Sequence, residues 1–479
     1  MLEISDGLII VAKRDCPTCV LLEPVYGELA QSGAALAVYS QDDPSFPATI
    51  AGVIDDTSLE ASYRLDIETV PTLIRMSGGK EVARIVGWER QEWRDFTGIG
   101  TLGNGLPGYQ PGCGSLNVQP GMAEYLAVRF GDANFVARRI EIAPLEDDIE
   151  SCFERGWSDG LPVVPPTEVR VLRMLSGTTR APDEVIGPVP PNLAPCTVEK
   201  AAINAVMAGC KPEYLPVVLA AIEAALDPDF CMHGLLCTTH FACPMVIVNG
   251  PAARAVAMNS GGNALGQGNR ANATIGRALQ LVIRNVGGGI PGGIDRATLG
   301  NPGKYTFCFA EDESDPVWEP LSVERGVAAG KSAVTLYAAE GVLGSSDDLS
   351  RTPESLTRSL ALSLRVVGHP KKVGANDALL IVAREHMQIY SDAGWSKART
   401  LAAFDEALRL PGKDLVRGVG GVAAGIPEEL ANETVSKFRP GGLNIVRAGG
   451  IAGRMSAIVG GWGASGERGS VMVTREIGT

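Results

Sequence analysis

The chain has 479 residues, with 42 Lys+Arg against 55 Asp+Glu and a formal net charge of −13. Its 58 glycines and 31 prolines are too many for a helical bundle or coiled coil, and a collagen's triplet period is missing. An acidic chain without a basic stretch argues against a nucleic-acid partner, and no apolar run of about 18 residues predicts a membrane span. The expected class is α/β: a small amino-terminal domain, then a larger layered α/β domain whose glycines shape ligand-contacting turns.

The amino-terminal residues 1–11 lack the basic and apolar regions of a signal peptide, so the sequence predicts a cytoplasmic protein. In that reducing setting the ten cysteines are expected as thiols, metal ligands or redox pairs.

Residues 1–98 form the first predicted domain. An apolar strand at 8–11 leads into Cys16-Pro17-Thr18-Cys19, an amphipathic helix to about 31 and a strand at 35–39. Val70-Pro71-Thr72, a strand through 74–76, a Gly78-Gly79 turn, a strand at 82–86 and a helix at 91–98 complete it. With C-P-x-C opening a helix and V-P-T before a hairpin, this fifth of the chain resembles the thioredoxin-fold family. The resemblance implies a redox-active dithiol and a cis proline, Pro71, beside it on the substrate side. Asp15 and Ile10 depart from that family's usual tryptophan and buried aspartate, so potential and direction of electron flow do not transfer.

Residues 99–194 read as a Gly/Pro-rich linker and arm, with strand-like runs at 125–130 and 135–142 and an extended stretch at 156–166. From 195 helices and strands alternate, with helices at 197–208, 212–226, 271–284, 353–366 and 397–408. Strands fall at 245–248, 306–309, 333–336, 378–382 and 444–446. A repeated strand–helix pattern beginning at 244 and 378 divides this region into a catalytic half, 195–345, and a second half, 346–479, as two related halves facing one site. Cys113-Gly114-Ser115 and the turn at 448–454 resemble bacterial UGSC-type (seleno)proteins, over too short a stretch to imply an activity.

Cys16 at a helix N-terminus, where unpaired N–H groups favour a thiolate, is the expected attacking thiol, with Cys19 resolving. Cys210, in a turn between Gly209 and Pro212 beside Lys211, reads as a second nucleophile, and Cys113 between two glycines as a third. In 231–243, His233 and His240 are candidate proton-transfer groups, and Cys231, His233, Cys237 and His240 an alternative metal set. Arg270, Asn272 and Arg277, on a helix opened by Gly266 and Gly268, and the turn containing Gly449, Gly450 and Gly453 are expected to cradle an anion. The acidic run 311–315 reads as a solvated loop.

Together these features predict a thiol-dependent oxidoreductase. The dithiol regenerates a catalytic cysteine, Cys210 or Cys113, of the large domain, acting on a small anionic organic substrate by reduction or reductive carbon–heteroatom cleavage. A cellular dithiol reloads it; no cofactor is required, and a homo-oligomer is compatible. The alternatives are a metal-dependent lyase or hydrolase at 231–243 and a non-catalytic redox chaperone.

Overall fold

The computed structural model describes residues 6–131, 135–462 and 469–478. The leader reading concerns residues of which 1–5 lie outside that set. The protein is mixed α/β and divides into two compact units, Met1–Asn134 and Phe135–Thr479. No helix among the described residues is long and apolar enough to cross a membrane.

In the first unit the apolar run Gly7–Ala12 is buried on both faces, as a central strand must be. It runs parallel to Leu36–Ser40, which is parallel to Ile54–Asp55, and antiparallel to Thr72–Ser77, which is followed by antiparallel Lys80–Val86. The helix after the first strand is two pieces, Pro17–Leu21 and Glu23–Gln31, because a proline in the second piece's first turn donates no backbone hydrogen bond to the turn before. Val25, Tyr26 and Leu29 of the second piece close one core with Ile10, Leu73, Trp88 and Trp93.

The Gly/Pro-rich residues 99–131 belong to this unit. Tyr109–Gln110 pairs with Trp88–Glu89, and Cys113–Gly114 with Thr69–Val70. The expected strand at 125–130 is instead part of the helix Met122–Phe130. Met122, Leu126 and Phe130 recur every fourth residue, a helical stripe, with Glu124 in the first turn and Arg129 in the last to suit the helix dipole. Among the described residues the expected strand at 135–142 has no ladder partner; the Val136 and Ala137 N–H groups donate to the Glu199 carboxylate instead.

The second unit carries a seven-stranded sheet, ordered Cys308–Ala310, Cys243–Asn249, Ala333–Ser346, Met455–Gly461, Asn376–Val382 and Phe438–Arg447, with Val473–Glu476 added beside Ala333–Ser346. Cys243–Asn249 is parallel to its outer neighbour and antiparallel to its inner one; Asn376–Val382 has the same relation to its own two neighbours. The two triplets join antiparallel at Ala333–Ser346 and Met455–Gly461. Inward side chains of all six strands, among them Met245, Phe309, Tyr337, Ile381, Val446 and Val459, make one cluster, and the Asp312 N–H donates to the Arg447 carbonyl to tie the two outer edges. The strands therefore curl around a shared apolar interior. Outside it, the first triplet packs on Val198–Ala208, Leu215–Leu226 and Arg270–Asn285, and the second on Pro353–Leu364, Arg384–Asp392 and Lys397–Ala407.

Lys437 sits under this second layer with no exposed surface, its ammonium donating at 2.8 Å to the carbonyls of Val367, His369 and Lys372. Three donors meet three acceptors, which is how an ammonium is accommodated away from water.

Candidate functional site

Three cysteines converge in the first unit. The turn after the first strand is pinned where the Arg14 and Asp15 N–H groups donate to Asp42, at 2.7 and 2.8 Å. Cys16 follows in extended conformation as the N-cap of Pro17–Leu21, its sulfur accepting the Cys19 N–H at 3.4 Å. The Val70–Pro71 peptide is cis, and the Val70 carbonyl lies 3.7 Å from the Cys16 sulfur. Across it, the strand pairing with Thr69–Val70 brings Cys113, whose sulfur is 2.7 Å from that of Cys16.

Two glycines make that approach possible. Gly87 has φ +69°, and a Cβ there would meet the Gly112 nitrogen at 2.8 Å. A Cβ on Gly112 would collide with the Thr69 methyl and lie 3.0 Å from the Val70 carbonyl oxygen. The Thr18 hydroxyl donates to the Pro111 carbonyl at 2.6 Å, tying the helix start to the arriving segment.

The three thiols divide their protons unequally. Cys16 is lowered to about 5: the Cys19 thiol donating to its sulfur is the main cause, burial opposes, and the Cys113 thiol and the Cys19 and Thr18 N–H groups add to the lowering. Cys19 and Cys113 are both raised, by burial first and then by donating to Cys16 and facing its charge. Cys16 is thus a thiolate held by two protonated neighbours. Cys16 and Cys19 are buried, whereas Cys113 is partly exposed and is the outermost of the three.

The other expected nucleophile is corrected. Cys210 is buried beneath the Arg270–Asn285 helix and pushed up to about 12 by burial, with the Thr274 hydroxyl and Arg270 only partly opposing. The expected anion cradle is also engaged elsewhere. Arg270 Nε donates to the Gly209 carbonyl at 2.9 Å, closing the end of the Val198–Ala208 helix. Asn272 is turned inward, bonded to Asn259 and the Ala264 carbonyl. Arg277 grips both carboxylate oxygens of Asp159 at 2.8 Å and the carbonyls of Leu161 and Pro162, ordering the extended stretch. Burial pushes Asp159 up, and Arg277 overrides this to hold it below its ordinary value.

In the turn 448–454, Gly449 donates to the Ser260 carbonyl, and the Gly453 and Arg454 N–H groups converge on the Glu385 carboxylate. The anion this turn holds is the chain's own Glu385 carboxylate. The acidic run is not a solvated loop: Glu311 is buried, raised by burial, and accepts from the Asn249 amide and the Leu321 N–H.

The stretch 231–243 contains the helix Met232–Cys237, on which His233 and Cys237 are exposed. Among the described residues no three His, Cys, Asp or Glu side chains converge as a metal site, so Cys231, His233, Cys237 and His240 do not form the alternative set. His240 separates from them: its Nε2 lies 2.7 Å from Glu340 Oε1, and its ring stacks on Phe241. Glu340 was not visible as a partner because it lies a hundred residues away, beside the irregular register of Ala333–Ser346 against Met455–Gly461.

No protein-family model matches the chain, and no curated protein matches it.

Proposed function

We propose that the protein is a thiol-dependent oxidoreductase whose redox centre is Cys113, Cys16 and Cys19 of the first unit. The carrying observation is the 2.7 Å Cys16–Cys113 approach with the thiolate on Cys16. The dithiol after a central strand, the three parallel and two antiparallel strands and the cis proline support a thioredoxin-like reading of this unit.

The partly exposed Cys113 meets a substrate R–Y. The Cys113 sulfur bonds R while Y leaves with the bonding pair and the Cys113 proton. Cys16 then attacks the Cys113 sulfur, R leaves with the bonding pair and a proton from water, and a Cys16–Cys113 disulfide remains. Cys19 loses its proton and attacks Cys16, releasing Cys113 as a thiolate. An external dithiol reduces the Cys16–Cys19 disulfide, so R–Y gains two electrons and two protons and the dithiol supplies both. The cis peptide before Pro71 presents the Val70 carbonyl 3.7 Å from the Cys16 sulfur.

Trapping tests this. A Cys19→Ser chain oxidised by substrate is expected to stop at a Cys16–Cys113 disulfide, identified by peptide mass mapping. Adducts with many other proteins in place of that bond would instead mark a redox chaperone. His240 with Glu340 keeps a second reading in view, a lyase or hydrolase using His240 for proton transfer; it predicts turnover that survives Cys16→Ser.

A further inference from the structure

Within the second unit, between the Arg270–Asn285 helix and residues 289–305, lies a cavity of about 540 Å³. That is the size of small-ligand sites. One wall is apolar, formed by Leu235, Leu236 and Ile283. Gln280 and Arg284, one turn apart on the helix that also carries Ile283, line the cavity too. Gln280 Nε2 and Arg284 Nε are both buried without a hydrogen-bond partner. A buried donor left unpaired is destabilising, the more so when it is charged.

Asp159, Arg284, Asp295 and Lys304 line the cavity, and together with Arg277, which grips Asp159, they carry one excess positive charge. Lys304 is paired with Asp295 at 2.7 Å, and Asp159 with Arg277 at 2.8 Å. Arg284 contacts the Gly156 carbonyl at 3.4 Å and has no carboxylate within ion-pair distance among the described residues. A cavity with an uncompensated guanidinium, an amide donor one turn away and an aliphatic wall suits one kind of guest.

We propose that this cavity binds a small monocarboxylate with an apolar body. The carboxylate sits on the Arg284 guanidinium and the Gln280 amide, a planar two-oxygen acceptor against a planar fork, and the body lies against Leu235, Leu236 and Ile283. A monoanion balances the charge; a phosphate dianion overshoots it and gains nothing from the apolar wall. This proposal is independent of the thiol chemistry and stands or falls without it.

Calorimetric titration of the full chain with hexanoate tests it. Hexanoate is expected to bind, with hexanamide and inorganic phosphate each at least about tenfold weaker. Arg284→Met should weaken hexanoate at least about tenfold. Gln280→Glu, which keeps the shape and adds a repelling charge, should do the same, so a folding defect in one variant does not decide the matter. Hexanoate failing to bind, phosphate or hexanamide binding as tightly, or wild-type affinity in a folded variant would each overturn the proposal.

Discussion

The sulfurs of Cys16 and Cys113, 97 residues apart in sequence, lie 2.7 Å from one another, closer than unbonded sulfurs normally pack and wider than the ~2.05 Å of a disulfide. One small displacement therefore separates contact from bond. The arrangement makes Cys113 both a proton donor to the buried thiolate and its nearest electrophile once oxidised.

The larger share of the Cys16 lowering comes from Cys19. Replacing Cys19 by Ala should raise the pH midpoint of Cys16 alkylation further above about 5 than replacing Cys113 by Ala does. Iodoacetamide rates between pH 4 and 10, a range that brackets about 5 and the ordinary thiol value of 9.0, read this directly. Equal midpoints in the two variants would refute the assignment of donors.

The lowered Cys16 also couples to folding. A thiol at about 5 in the folded state and 9.0 unfolded releases its proton earlier when folded, so its stabilisation is full above 9.0 and is lost as pH falls through about 5. The stability gap between the reduced wild type and Cys16→Ala should therefore widen from pH 5 to pH 9, measured as urea midpoints at each pH. A gap that shrinks over this window contradicts a native thiolate.

Gly112 has backbone where a side chain would need space. Gly112→Ala should push residues 111–114 off Thr69–Val70, detach Cys113 from Cys16 and slow formation of the Cys16–Cys113 disulfide at least about tenfold, while Cys16–Cys19 still forms. Quantitative disulfide mapping after brief oxidation distinguishes the two bonds.

Arg277 and Asp159 are largely buried and satisfy one another. Removing either leaves a charge without its partner, so Asp159→Asn should cost about 3 kcal/mol in the second unit's denaturant midpoint. An effect within about 0.5 kcal/mol would mean that the extended stretch is ordered by something else.

Lys437→Met removes three hydrogen bonds and strands three carbonyls away from water. A loss of about 3 kcal/mol or more is expected by the same measurement, and a neutral result would mean that water replaces the ammonium.

What could be read from the sequence was local. Cys16-Pro17-Thr18-Cys19 and Val70-Pro71-Thr72 each carry their geometry within a few residues, and the alternation of helix and strand after 195 follows from apolar periodicity. What could not be read was which distant group each polar residue meets. Residues 107–114 have a linker's composition, yet Gly112 is there for close backbone approach to Gly87 and Val70. Arg277 and the 448–454 turn do bind carboxylates, but those of Asp159 and Glu385. Periodicity and spacing say that a residue can hold an anion without saying whether the chain supplies it. The same applies to Cys210: its turn favours a thiolate, and burial under a helix outside that turn decides otherwise.

The pairing order of the two units also sets when each can form during synthesis. Every strand of the five-stranded sheet and the Cys113 ladder lie within the first 131 residues, whereas Ala333–Leu336 must wait for Val473–Glu476 at the far end of the chain. The three-thiol unit can therefore emerge from the ribosome, fold and equilibrate with cellular thiols before the second unit's sheet has all its strands. The three-thiol unit forms first, and the larger unit, whose strands pair over long range, is the slower to fold.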